Sequence, residues 1–586
     1  MTKIKKSIIA LFAVGLSCAL IGFSACSDES TQSDKGCGVY GKYVNYVLNS
    51  DGNSYTVEMF NSSIIQGFDK YEDFEKKYDT LMAKTEELVI PATYNGKSVT
   101  GIGNYAFASC SFTKVVLPDT IKNIGFNAFS KCDNLNSVVV GSSVSSIGFG
   151  AFADCYKLVE IYNRSSLNIQ KGSTQNGSIA QYAMDVYTSE YTSKLSSDKN
   201  GFVTYTDGSD KILVNYYGGI FNPVLPQDIT EINAYAFAGY DQLRSVTIPS
   251  SLKKIQANAF YRCNQMERAY ITDLASWCEV ELEDYTANPM NYATKIFIEG
   301  QEKTSLTLPQ TLTEIKPYTF YNMEGLTELT LPSTVEKIGK SAFSWCPDLQ
   351  TVNLNNTLQE IGDGAFNGCK NLSGIYLPES IERIGARAFA QSGLTGISLP
   401  KNILSLGNGG FEHCESLAEV EFGGLKDIPK EAFQYCTLLK EIIFSENVET
   451  IGTSAFLYCK EMQSISLPAN LKRIDNDAFL FCEKLTAITI PDTVSYVGMG
   501  AFAHCTSLAK VVVGSGVETI EGYAFDSCEA LVEVFYKGDE ESFNVITIGG
   551  NNEPFNKATL YYYSETAPET DGNFWYYDNG EIKKYE

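Results

Sequence analysis

The sequence predicts a repeat protein of the α+β class, an elongated solenoid of 22–23-residue units interrupted by two insertions and closed by a cap at each end. Three observations predict it. Phenylalanine returns at a fixed step through most of the chain, at Phe107, Phe129, Phe152, Phe237, Phe260, Phe320, Phe343, Phe366, Phe389, Phe411, Phe433, Phe456, Phe479, Phe502 and Phe525. Most of these rings follow an alanine and precede a cysteine three residues on. The same apolar spacing then repeats, A-F-x-x-C-x-x-L-x-x-I-x-L-P-x-x-V-x-x-I-G. Such a period marks stacked supersecondary units rather than the two or three separate cores that 586 residues would otherwise suggest.

Taken in order, residues 1–25 read as a signal peptide. Lys3, Lys5 and Lys6 precede an apolar run over 7–23, which is too short and wrongly flanked for a membrane span. Phe23-Ser24-Ala25-Cys26 resembles a bacterial lipobox, although leucine is usual where Phe23 stands. That resemblance implies acylation of Cys26, with residues 26–38 as a polar tether. Residues 39–87 form an expected N-terminal cap, with strands near 43–48 and 55–59 and a helix over 71–84.

Repeats are expected over 88–162, 226–270 and 306–536. In each, the L-x-x-I-x-L segment ends in a strand of period 2: Ile488 and Ile490 point inward and Thr489 outward. The proline that follows lacks an amide hydrogen and ends the pairing. V-x-x-I-G returns the chain, with its glycine serving a tight turn. A-F-x-x-C is expected to form a short helical or 3₁₀ turn on the far side. No unit can bury its Phe, Leu and Ile alone, so neighbours pool them in one column.

Two intervals break the step. Residues 163–225 form a first insertion with strands near 202–205 and 212–214, and 271–305 form a second. Residues 537–586 form a C-terminal cap, because an open solenoid end leaves a strand edge unpaired.

The repeat resembles the BspA-type, or Treponema pallidum-type, bacterial leucine-rich repeat, carried by the A-F-x-x-C-x-x-L and L-P-x-x-V-x-x-I-G halves over most of 88–535. The resemblance implies a right-handed leucine-rich-repeat solenoid displayed on a bacterial cell surface. It also implies protein–protein recognition, including adhesion to host extracellular or microbial surface proteins. Tyr240, Met323 and Ser392 replace the repeat cysteine, so that cysteine is a packing residue rather than a chemical requirement.

Composition narrows the chemistry. A net charge of −25 repels phosphate backbones and anionic lipid, which leaves no nucleic-acid partner and only the lipid anchor as a membrane contact. There are two histidines, His413 and His504, too few for most triads and zinc sites. Twelve repeat cysteines stand one per unit without any C-x-x-C pair, which favours a buried thiol ladder over metal binding. No nucleophile elbow, phosphate loop or H-E-x-x-H occurs. The chain therefore reads as a non-enzymatic scaffold with no catalytic residue, no metal and no cofactor.

The candidate binding surface is the outward column of the repeat strands, with Tyr162, Tyr270, Asn353, Tyr376, Glu421 and Phe535 as its proposed contacts. One alternative is glycan binding through the tail aromatics Tyr561, Tyr562, Tyr563, Phe574, Trp575, Tyr576 and Tyr577. A second is a hydrolase within 163–225. The tail aromatics could equally be the core of the cap.

Overall fold

A computed structural model describes residues 44–59, 87–293, 295–569 and 571–585. The signal segment, Cys26, the tether and the helix expected over 71–84 lie outside the described residues.

Most repeats supply two strands, and the repeats stack so that both run as parallel ladders. The first comes from L-x-x-I-x-L. Ala487–Thr489 pairs in parallel with Lys510–Val513, and Ile488 and Ile490 are buried while Ala487 and Thr489 are exposed. We call this the front ladder. The second comes from the V-x-x-I-G segment, which does more than return the chain. Two-residue strands such as Arg473–Ile474, Tyr496–Val497 and Thr519–Ile520 pair in parallel to form a back ladder, each burying its isoleucine or valine.

The glycine after the back strand has a different role from the expected one. Gly498 is not in a left-handed conformation; a Cβ there would stand 2.5 Å from the amide of Asn476 in the preceding coil. At Gly498 glycine serves because two backbones pass one another, not because the chain turns.

The A-F-x-x-C segment also departs from expectation. Bonds of the 3₁₀ kind occur, as from the Leu480 amide to Asp477 and from Cys482 to Phe479, but no helix forms. In all fifteen units the residues two before and two after the phenylalanine are left-handed, as at Asp477 (φ 58°) and Phe481 (φ 62°). The alternate amides of Asp477, Phe479 and Phe481 therefore point along the solenoid axis and bond to Met499, Ala501 and Ala503 of the next coil. This third set of coil-to-coil bonds offsets the cost of placing side chains in a region L-residues avoid.

Along this track the phenylalanine rings stack. From Phe320 to Phe525 successive centroids lie 5.2–5.6 Å apart with planes within 4–11°. The recurring thiol lies beside them. From Cys132 to Cys528, eleven sulfurs donate to the carbonyl of the phenylalanine one coil earlier, as Cys132 does to Phe107 at 3.2 Å and Cys436 to Phe411 at 3.2 Å. These thiols are small enough for the core and satisfy a buried carbonyl. At Ser392 a hydroxyl occupies the place, 3.2 Å from the Cys414 sulfur.

Both long intervals break the spacing while carrying the ladders on. After 163, an irregular coil ends in Asp185–Tyr187, which pairs in parallel with Glu160–Asn163. Leu195–Ser197, Phe202–Asp207 and Asp210–Tyr216 then form an antiparallel meander, whose last strand enters the back ladder beside Glu231–Ile232. In the second interval a helix, Leu274–Cys278, is capped by Asp273. Its Trp277 donates to Thr319 at 3.0 Å, and Glu281–Leu282 and Lys295–Ile298 join the back and front ladders.

At the N-terminal end, Val44–Leu48 and Ser54–Met59 form a hairpin that pairs with Lys97–Ile102 of the back ladder. At the C-terminal end, helix Glu553–Lys557 lays Phe555 on Phe525 at 4.8 Å and continues the ring column. Thr559–Tyr563 extends the front ladder, and Phe574–Asp578 with Glu581–Lys584 closes it as a hairpin.

The buried side chains form one core from Val57 to Ala183 and another from Phe202 to Phe555. At their junction Lys157 is buried close to Asp133 and Cys263. Burial lowers its ammonium pKa to about 8, with Asp133 opposing. An unfolded lysine keeps its proton to about 10.5, so between those values the unfolded chain binds more protons and stability rises with pH. Lys157→Met should therefore add about 2 kcal/mol at pH 7, and the gain should shrink toward zero at pH 10. Guanidinium denaturation at the two pH values measures it; an equal gain at both would contradict the buried charge.

Candidate functional site

The front ladder turns its alternate residues to solvent, and the proposed contacts fall into three environments. Tyr162 is half-buried. Its ring meets Tyr191 at 5.0 Å, because residues 188–195 cross over this end of the face. The neighbouring Glu160 is buried beneath that crossing and accepts hydrogen bonds from the Ser193 hydroxyl at 2.6 Å and the Lys194 amide at 3.1 Å. Tyr270 is half-buried and lies against Phe297, its partner in the next strand, at 4.9 Å.

The third environment is the middle of the array. Asn353 is exposed and donates to the Thr330 hydroxyl at 3.1 Å. Tyr376 is 73% exposed. Glu421 is exposed and accepts from the Ser398 hydroxyl at 2.9 Å. Tyr376 and Glu421 share a shallow depression of about 580 Å³, together with Ile443, which is 63% exposed. Of the proposed contacts the fold thus brings these two into one site, with Asn353 in the adjacent coil, and leaves Tyr162 and Tyr270 in other stretches of the array.

Phe535 is corrected. It is outward by register but 0% exposed, because the C-terminal hairpin folds back over the face. Its ring stacks on Tyr561 at 4.9 Å and meets Trp575 edge-on at 5.6 Å, with Val512 beneath the same roof. Trp575 is itself fully buried and donates to the Tyr536 carbonyl at 2.9 Å. Of the tail aromatics Trp575 is core and presents no face to a sugar, Tyr561, Tyr562 and Tyr563 pack half-buried against the cores, and Tyr577 is exposed.

Polar groups do converge in the first insertion, and they bind one another. Asp185 accepts from Tyr187 at 2.7 Å, from Tyr205, and from Lys194 at 3.0 Å. Burial works against the Asp185 carboxylate, but these bonds outweigh it and hold its pKa below the usual value. The cluster pins the crossing segment to the meander.

Other reactive groups are equally committed. Burial pushes the thiol pKa up, to about 12 at Cys263 and Cys346, so these two thiols stay protonated. No disulfide and no group of three or more metal-capable side chains occurs among the described residues. The two histidines end one outer stack, His413–Tyr435–Tyr458–Phe481–His504, with centroids 4.4–4.9 Å apart. Every member occupies the left-handed position two after the phenylalanine. No helix among the described residues is long and apolar enough to cross a membrane.

Several solved structures resemble this one. A leucine rich cell surface protein from Faecalibacterium prausnitzii is 23% identical, with 61% of this chain and 98% of that one covered at a TM-score of 0.38. A leucine-rich repeat protein from Bacteroides ovatus is 18% identical, covering 84% and 98% at 0.33. The T. pallidum leucine-rich repeat protein is 21% identical, covering 45% and 90% at 0.22. No curated protein matches the chain. The family description "BspA type Leucine rich repeat region" matches residues 84–187, 216–280, 292–418 and 426–547, in six copies. With stacked coils, ring column and profile agreeing over well above half its length, the chain belongs to the BspA-type leucine-rich-repeat family.

Proposed function

We propose that this repeat scaffold is a non-enzymatic recognition protein of the bacterial cell surface, held there by a lipid on Cys26, which binds host extracellular or microbial surface proteins through its front face. The observation that carries the reading is the open middle of that face, where Tyr376 and Ile443 stand well out of the sheet beside carboxylates that form no ion pair among the described residues. Exposed tyrosine is a strong interface anchor, since it offers a large rigid surface and a polar tip. Family membership and the signal-like N-terminus support display outside the cell. The buried thiols and the internally bonded polar clusters support a role without catalysis.

One experiment with three arms tests this. Cells displaying the chain are incubated with labelled matrix proteins, mucin and neighbouring bacteria, and retention is counted. Wild type should retain a partner, Cys26→Ser should release the protein into the medium, and Tyr270→Ala with Tyr376→Ala should cut retention at least about tenfold, the loss expected when anchor residues go. Unchanged retention by the tyrosine variant at equal display would remove the front face from the role. Cys26→Ser protein that stays on the cells would refute the lipid anchor.

A further inference from the structure

The front ladder opens twice, at 373–377 and again at 463–467, between Glu441–Ile443 and Ala487–Thr489. Strands Thr351–Asn353 and Gly396–Ser398 each end a three-stranded sheet, and residues 373–377 of the coil between them form no strand. Neither the amides nor the carbonyls of Gly374, Ile375, Tyr376 and Leu377 bond to the backbone of either neighbouring coil. Ile375, the inward residue here, is only half-buried, where Val352 and Ile397 on either side are buried. The depression that holds Tyr376 and Ile443 lies over the opening at 373–377.

Its charges are one-sided. Glu379, Glu419, Glu421 and Glu441 line it, and none forms an ion pair among the described residues. Glu419 and Glu441 are register partners on adjacent strands, an arrangement that costs stability because like charges face each other. The back ladder of the same coils is arranged differently. There Lys337 lies 3.6 Å from Glu360, Arg383 3.2 Å from Glu360 and Lys472 2.7 Å from Glu449. The front carboxylates do not converge as a chelate either, since no metal-capable group occurs among the described residues. Glu419 instead lies flat over Gly396, the small residue that leaves it room.

We propose that this opening takes an extended cationic segment of a partner protein, with lysine or arginine alternating with apolar side chains. The inference rests on the front face being the recognition surface and names what that surface reads. Tyr376 and Ile443 receive its apolar side chains, and the glutamates receive its cations. Tyr376, Ser398, Glu421 and Ile443 follow one another across the coils on one outward column, so a segment laid along it meets apolar and acidic side chains in turn.

The test uses the full chain and a fluorescent nine-residue peptide alternating lysine and leucine, followed by anisotropy. Binding should be salt-sensitive, and the same peptide with glutamate for lysine should not bind. The triple variant Glu419→Gln, Glu421→Gln, Glu441→Gln should weaken binding at least about tenfold. The triple Glu314→Gln, Glu382→Gln, Glu518→Gln changes net charge equally on the back ladder and should stay within about twofold. Circular dichroism checks that both fold. Equal weakening by the two triples, or no binding by wild type at low salt, overturns the proposal. Retention that still depends on Tyr270 and Tyr376 in the cell assay would then leave the front face standing as a recognition surface with a different ligand. Loss of that dependence as well would remove both.

Discussion

Replacing Phe411 with alanine should destabilise the central array by about 3–5 kcal/mol, the range for emptying a fully buried aromatic site. The ring is wholly buried and stacked between Phe389 at 5.4 Å and Phe433 at 5.2 Å, each nearly parallel to it. Its own carbonyl receives the Cys436 thiol. Gly410, where most units have alanine, leaves no neighbouring methyl to collapse into the void. Because each coil touches only its neighbours, stability is a sum of coil and interface contributions, and a break mid-column uncouples the two sides. The expected readout is a split guanidinium transition, with amide exchange faster in the coils next to 411 than at 107–152. Phe149→Ala supplies the contrast. That ring is 83% exposed, so its removal should stay within about 0.5 kcal/mol. A single unshifted transition for Phe411→Ala would mean the column does not bear the stability assigned to it.

The column was readable from the chain because it is local in period: a residue at step 22 or 23 meets its own copy, so spacing alone places Phe389 on Phe411 and Ile488 beside Val511. The left-handed turns were not readable. Residues as different as Asp477, Tyr435, Trp345 and Gly364 fill those positions, so no residue type signals them; they follow from coil-to-coil amide bonds that exist only after stacking. The site was half legible. Register put Tyr376 and Glu421 on one outward column. It could not reveal that the ladder opens at 373–377, because Ser373-Gly374-Ile375-Tyr376-Leu377 keeps the apolar pattern of the units that do pair. Burial imposed by distant segments escaped entirely. Lys157 stands where Lys484 stands in a later unit; Lys484 pairs with Glu461 in solvent, whereas Lys157 lies under the second core.

The same blindness to distant cover explains Phe535, and it sets up the second large effect. Trp575→Ala should lower the stability of the C-terminal cap by about 3–5 kcal/mol, since the indole is fully buried and roofs Val512 and Phe535. Trp575→Phe keeps most of the roof but leaves the Tyr536 carbonyl without its donor, and should cost about 1–3 kcal/mol. Hydrogen exchange over 533–563 separates the two: alanine should release the strands Glu533–Tyr536 and Thr559–Tyr563 together, phenylalanine only partly. The alanine variant should also self-associate, because losing the hairpin leaves the aromatic edge strand Thr559–Tyr563 unpaired. If these strands keep full protection without the indole, the hairpin is not the roof of this face, and Phe535 returns as a candidate contact; if protection falls while Tyr376-dependent retention survives, the ends of the array are structural and recognition belongs to its open middle.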